Sequence, residues 1–183
     1  MTDDGAEPSA FITRSLPAIV DAVGPEAKVL DVAMGAGRHV LLLARAGFTV
    51  FGVDRDFGRL RRAADRLSTV GKSASVWVTD LESCVLPSDR FDLVVCTRYL
   101  QRSLWEALRN AVRPRGFVLY ETFTVNQRRY DWGPRSPDHL LRTGGELREA
   151  FCDWEVWRYE ESESPSAEAR LLARRPGLPS GLI

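Results

Sequence analysis

Apolar runs and helically spaced apolar positions take turns along most of the chain. Residues 29–32, 49–53, 75–79, 91–96 and 117–122 are short and largely apolar, as strands are. The run at 91–96 is close to continuous, the mark of a strand buried on both faces. Between these runs, residues 9–23, 40–46, 57–69 and 103–112 read as helices with one apolar side. In the first of them Phe11, Ile12, Leu16, Ile19 and Val20 make that side, and Pro17 is expected to interrupt it. Residues 123–144 then lose all periodicity and are rich in Pro, Gly, Arg and aromatic residues. A short helix at 145–151 and two strands at 154–160 and 167–173 follow, the strands separated by an acidic turn containing Pro165. The alternation is that of an α/β domain. Residues 9–175 are expected to form one domain, with a flexible start at 1–8 and a tail at 176–183.

The pattern is most specific between Val29 and Asp54. The first apolar run stops at Gly35 and Gly37, a helix follows, and the next run ends in the acid Asp54. Glycines let the chain turn sharply and let a ligand approach the backbone. The helix start beyond them presents free N–H groups to an anion. Asp54, at the end of the second strand, lies on the sheet edge where open α/β sheets bind ligands, and a carboxylate accepts both hydroxyls of a ribose. A dinucleotide fingerprint wants a third glycine where Val40 stands. Asp31, inside the first strand, would repel a pyrophosphate but suits an ammonium group. These features favour a nucleoside that carries an amino acid.

The stretch resembles motif I of the class I S-adenosylmethionine (SAM)-dependent methyltransferases, an acid followed by three alternate glycines. Asp31 takes the acidic position, Gly35 and Gly37 the last two glycines, and Ala33 stands where the first usually does. The resemblance implies a Rossmann-like, seven-stranded, mostly parallel sheet with strand 7 antiparallel and helices on both faces. It implies a cofactor site lined by Asp31, Ala33, Met34, Gly35, Ala36, Gly37, Arg38, Asp54, Arg55, Thr97 and Arg98. Asp80, just after the third strand, would meet the adenine amino group, with Leu81 against the ring. Arg38 would meet the methionine carboxylate or an anionic acceptor. The strings 98–104 and 120–124 and the region 137–147 resemble a small bacterial subgroup of tellurite-resistance-type and generic methyltransferases. The product would be S-adenosylhomocysteine.

The resemblance implies methyl transfer to a nucleophile by in-line displacement, which needs alignment and desolvation more than covalent help. Candidates for catalysis are Glu121, Tyr99 and His139, and for the acceptor Arg98, Tyr99, Glu121 and Phe123. Segment 123–144 is too long for a neutral connector and is expected to build the acceptor site. The fourth strand ends without the Asp/Asn-Pro-Pro-aromatic motif of nucleobase amino-methyltransferases, and Cys96 follows Val95, outside the context of a nucleophilic cysteine. Arg59, Arg62 and Arg66 share one helix face, expected to be solvated. A non-catalytic SAM-binding sensor and an NAD-binding oxidoreductase are the alternatives.

Composition changes this picture little. The 183 residues carry 25 basic and 25 acidic side chains, so nothing points to a nucleic-acid partner, and a small-molecule acceptor is expected. Three widely spaced cysteines make no metal pattern, so no metal is expected. Their odd number, with no leader or membrane-length apolar run, gives the expectation of a soluble cytoplasmic monomer or homodimer without a membrane partner.

Overall fold

A computed structural model describes residues 7–177. The expected flexible start lies largely outside these residues, as does most of the tail. Five helices are α1 (Ala10–Val23), α2 (Val40–Arg45), α3 (Phe57–Ser68), α4 (Trp105–Ala111) and α5 (Glu146–Glu149). Seven strands are β1 (Lys28–Val32), β2 (Thr49–Asp54), β3 (Ser75–Val78), β4 (Phe91–Thr97), β5 (Val112–Phe123), β6 (Glu155–Ser162) and β7 (Glu168–Arg174). They form one sheet in the order β3-β2-β1-β4-β5-β7-β6, with β7 antiparallel to both neighbours.

Side-chain alternation along the strands divides the core. Val29, Leu93, Val95, Phe117 and Leu119 pack with α1, α2 and α3 on one face. Leu30, Val32, Val94, Cys96, Val118 and Tyr120 pack with α4 and α5 on the other. Because β1 to β5 are parallel, Val32, Asp54, Thr97 and Phe123 all arrive at one pole of the sheet. The strand order reverses between β1 and β4, which is where such sheets open a ligand crevice.

Two local expectations are corrected. Helix α1 runs unbroken through Pro17. Pro17 is exposed, so the carbonyl it leaves without a helical N–H partner faces solvent rather than the core. The strand expected at 117–122 starts earlier, at Val112, through an irregular Pro114-Arg115-Gly116 stretch with a register shift against β4 and Arg115 at φ 67°. Gly116 permits it, since a Cβ there would lie 2.8 Å from the Asp92 carbonyl oxygen.

Candidate active site

The chain leaving β1 makes a loop with three left-handed residues, Ala33 at φ 54°, Gly35 at 56° and Gly37 at 77°. Two of them are glycines, which accept this conformation freely, and Ala33 holds it against about 1–2 kcal/mol of steric cost. Neighbouring elements fix the loop from below. Met34 folds onto β2, where a Cβ on Gly52 would lie 2.0 Å from its Sδ. Gly37 backs onto α3, where a Cβ would lie 2.6 Å from that of Ala63. The Asp54 carboxylate accepts from Gly35 N–H at 2.8 Å and Asp56 N–H at 2.9 Å. Arg66 donates to the Ala36 carbonyl at 3.2 Å.

Below this loop sits Asp31, fully buried, with no hydrogen-bond partner for either carboxylate oxygen. Burial pushes its pKa up to about 7, the charge of Arg38 opposes the rise and that of Asp54 adds to it. An unpaired carboxylate in that setting is costly unless something cationic meets it. The cradle therefore fits an ammonium-bearing nucleoside.

Beside the loop opens a cleft of about 470 Å³, within the range of small-molecule sites. At one end it is lined by Asp54, Arg55, Arg59, Asp80, Leu81 and Glu82. Asp80 also accepts from Glu82 N–H at 3.0 Å, so it caps its own turn while facing the cleft. At the other end stand Arg98, Tyr99, Leu100, Gln101, Pro134 and His139. The Tyr99 hydroxyl donates to Gln101 Oε1 at 2.5 Å. Burial raises its pKa, helped by the charges of Cys96, Glu82 and Asp80. A smaller chamber of about 130 Å³ adjoins the glycine loop and is lined by Arg38, His39, Arg59, Thr97 and Arg98 among others. A larger, shallower hollow of about 760 Å³ lies between α5 and β6 and contains none of the glycine-loop residues.

Segment 123–144 supplies Pro134 and His139 to the second end. Short 3₁₀ turns at Val125–Arg129 and Pro137–His139 give it local order, and Thr124 bridges to Leu141. Buried Gln127 ties it down, accepting from Ala167 N–H at 2.9 Å and donating to the Trp132 carbonyl at 3.1 Å. Arg98 lies over the rings of Phe123 and Trp132, 5.8 and 6.0 Å from their centroids. Arg102 donates to both Glu146 oxygens at 2.7 and 3.0 Å and to the carbonyls of Asp138 and Leu140. Those carbonyls flank His139, which the clamp holds at the cleft.

Residues 29–116 match the family model described as a methyltransferase domain. The chain is 30% identical over 121 residues to the ubiquinone biosynthesis O-methyltransferase of Escherichia coli O9:H4 (strain HS), covering 63% of this chain and 50% of that protein. It thus spans about half the length of the curated relatives it matches. The structure superposes on TehB from Haemophilus influenzae with a TM-score of 0.71, 21% identity, and coverage of 88% of this chain and 62% of that one. It superposes on an S-adenosylmethionine-dependent methyltransferase from Mesorhizobium loti with a TM-score of 0.69, 21% identity, and coverage of 91% and 99%. Residues 29–116 are thus similar to a methyltransferase domain, and the chain shares the fold of the two superposed proteins.

The structure corrects two site expectations. Glu121 is buried and engaged, its Oε2 accepting from Arg170 Nε at 2.9 Å and from the Ser9 hydroxyl at 2.7 Å. Arg170 also holds buried Glu168 at 2.5 Å. A carboxylate so paired anchors the start of α1, since Ser9 is its N-cap, and is a poor general base. The Arg59, Arg62 and Arg66 face is not simply solvated either: Arg59 lines the cleft and Arg66 holds the glycine loop.

His39 carried no assignment in the sequence, yet it sits buried at the chamber. Its Nε2 accepts from Ser9 N–H at 3.3 Å, and its Nδ1 lies 3.4 Å from Thr97 Oγ1. Burial, then the charges of Arg38 and Arg98, push its pKa down to about 3, so the ring is neutral at pH 7. With Nε2 accepting, Nδ1–H is the donor toward Thr97. No local signal marks His39, because its partners are Ser9 and Thr97, far away in sequence. No helix of the described residues is long and apolar enough to cross a membrane. The described residues also hold no cluster of ligands fit for a metal.

Proposed function

We propose that this chain transfers the methyl group of SAM to a small-molecule acceptor. The observation that carries the reading is Asp31, a buried carboxylate with two unpartnered oxygens under a glycine loop. When bound, the cofactor supplies an electrophilic methyl group on a positively charged sulfur. Asp31 would receive its ammonium group, the loop from Ala33 to Gly37 would cradle it, and Arg38 would take its carboxylate. Asp54 and Arg55 would hold the ribose, Asp80 the adenine amino group, and Leu81 the ring. Thr97 and Arg98 would close the site.

The acceptor enters at the end lined by Arg98, Tyr99 and His139. Phe123 and Trp132 lie beside Arg98, and alignment and desolvation of the two partners supply the acceleration. The acceptor atom forms its bond to the methyl carbon as the carbon–sulfur bond breaks and sulfur keeps the electron pair. His139 is the group suited to take the proton the acceptor releases, in place of Glu121. The likeness to an O-methyltransferase favours an oxygen acceptor.

Thermal unfolding with SAM, S-adenosylhomocysteine and NADH tests the reading. Ligand at a hundred times its dissociation constant adds about 2.7 kcal/mol, a rise of several degrees. Stabilisation by the first two and not by NADH is expected. Stabilisation by NADH alone would overturn the assignment.

A further inference from the structure

His39 stands at the N-cap of α2, yet its side chain makes no bond to that helix. Both ring nitrogens turn instead to distant parts of the chain. Ser9 N–H donates to Nε2 at 3.3 Å, and Thr97 Oγ1 lies 3.4 Å from Nδ1. His39 is 2% exposed and Thr97 9%, so water does little for either. Burial and the charges of Arg38 and Arg98 keep the ring neutral. A backbone N–H can only donate, so Nε2 carries no proton and the ring bears its proton on Nδ1. Thr97 Oγ1 therefore accepts.

That fixes the Thr97 hydroxyl in turn. It has one proton to give, and His39 Nδ1–H already donates to its oxygen, so its proton is left for another partner. Thr97 and His39 both line the chamber of about 130 Å³ beside the glycine loop. The charged side chains of that lining, Arg38, Arg59 and Arg98, are all cationic. Such a chamber favours an anionic group, and a hydroxyl proton is what an anionic oxygen accepts. In SAM the carboxylate and the ammonium group share one carbon, and Asp31 lies under the same loop that borders the chamber. The other side of His39 leads to α1. Ser9 caps that helix and gives its hydroxyl to Glu121 at 2.7 Å. The start of α1, the end of β4 and the glycine loop thus meet at one imidazole.

We propose that His39 is a positioning residue for the cofactor: held by Ser9 N–H, it directs its own proton to Thr97 and so leaves the Thr97 hydroxyl as a donor to the cofactor carboxylate. This inference rests on the methyltransferase reading and extends it. A histidine that only pinned α1 in place would not distinguish one end of the cofactor from the other.

The full chain is titrated calorimetrically with S-adenosylhomocysteine and with its decarboxylated analogue, which keeps the ammonium group. Thr97→Val and His39→Phe should each weaken S-adenosylhomocysteine about tenfold and the analogue less than about threefold, as loss of one hydrogen bond to a charged group predicts. The double variant should bind about as well as either single one, because both remove the same interaction. His39→Gln should recover most of the affinity. One carbon separates the amide oxygen from its nitrogen, as one carbon separates the ring nitrogens, so the amide can accept from Ser9 and donate to Thr97. The chain has two histidines, which makes nitrogen NMR of the rings direct. His39 should appear neutral and protonated at Nδ1 at pH 7.

Equal weakening of both nucleosides by Thr97→Val, unchanged affinity for S-adenosylhomocysteine, losses that multiply in the double variant, or a proton on Nε2 would each overturn the proposal. Thr97→Val and the NMR signal decide the matter without His39→Phe should that variant fail to fold. Wild-type protein that binds neither nucleoside would sink the methyltransferase reading and the proposal with it. Tight binding of S-adenosylhomocysteine with the wrong pattern among the variants would defeat the proposal alone.

Discussion

Asp31→Asn separates stability from function. In the unfolded chain the carboxyl ionises near 3.8, and in the folded chain near 7. Between these values the folded state binds more protons, so stability falls as pH rises and the loss is complete above the folded value. A displacement of that size corresponds to about 4 kcal/mol at pH 8. An asparagine stays neutral, but its buried amide lacks partners and costs about 1–2 kcal/mol of its own. The variant should therefore be more stable than the wild type by about 2–3 kcal/mol at pH 8, a rise in Tm of roughly 4–12 °C. Near pH 4 both side chains are largely uncharged, and the advantage should vanish. Urea unfolding of both proteins from pH 4 to 8, without ligand, measures this directly. Calorimetry with S-adenosylhomocysteine at pH 8 should show binding weakened at least tenfold, from loss of an ion pair worth about 1.5–3 kcal/mol. A variant no more stable than the wild type at pH 8, or one whose advantage ignores pH, would refute the account of Asp31 as an unpaired buried charge.

Asp54→Ala removes the proposed ribose acceptor and also the partner of Gly35 N–H. S-adenosylhomocysteine affinity should fall by about tenfold to a hundredfold, for hydrogen bonds to a charged group worth about 1.5–3 kcal/mol; unchanged affinity would end that assignment. Gly37→Ala combines a positive φ with a 2.6 Å approach to Ala63. It should cost about 2–4 kcal/mol in urea unfolding, and a neutral result would mean that the glycine loop and α3 are farther apart than described. Arg102→Ala leaves Glu146 buried with fewer partners. Burial alone would raise the pKa of Glu146, but the Arg102 guanidinium and Arg142 N–H outweigh it and keep it low. Amide hydrogen exchange at residues 138–142 should quicken by tenfold or more, from a local loss of about 1–3 kcal/mol; unchanged protection would show that the clamp does not order His139.

The parts of this molecule that sequence discloses are those made by neighbours in sequence. Strand positions follow from runs such as Leu93 to Cys96, which alternate between the two cores. The glycine loop with Asp31 and Asp54 is visible because one short stretch contains all of it. The cleft joins Asp54, Asp80, Arg98 and Tyr99, as strand ends in a parallel sheet must. What escapes are contacts between distant residues. Glu121 looks like a free acid at a strand end until Ser9 and Arg170 arrive on it. His39 looks like an ordinary start to a helix, and Arg66 like a solvated side chain. The tolerance of α1 for Pro17 depends on which way that face points, and the clamp by Arg102 on a partner 44 residues away.

The strands that lead to Asp31, Asp54 and Asp80, β1 to β3, lie on one side of the β1–β4 divide, and segment 123–144 hangs from β5 on the other. Its ends are close together, since Thr124 bridges to Leu141. A length of chain that leaves and rejoins the body at nearly one point can be exchanged for another without disturbing the sheet. Diversification of chemistry in such a protein needs no change to the nucleoside pocket. It needs a new insert between residues 124 and 141, together with replacements at Arg98 and Phe123, the strand-end residues beside its Trp132.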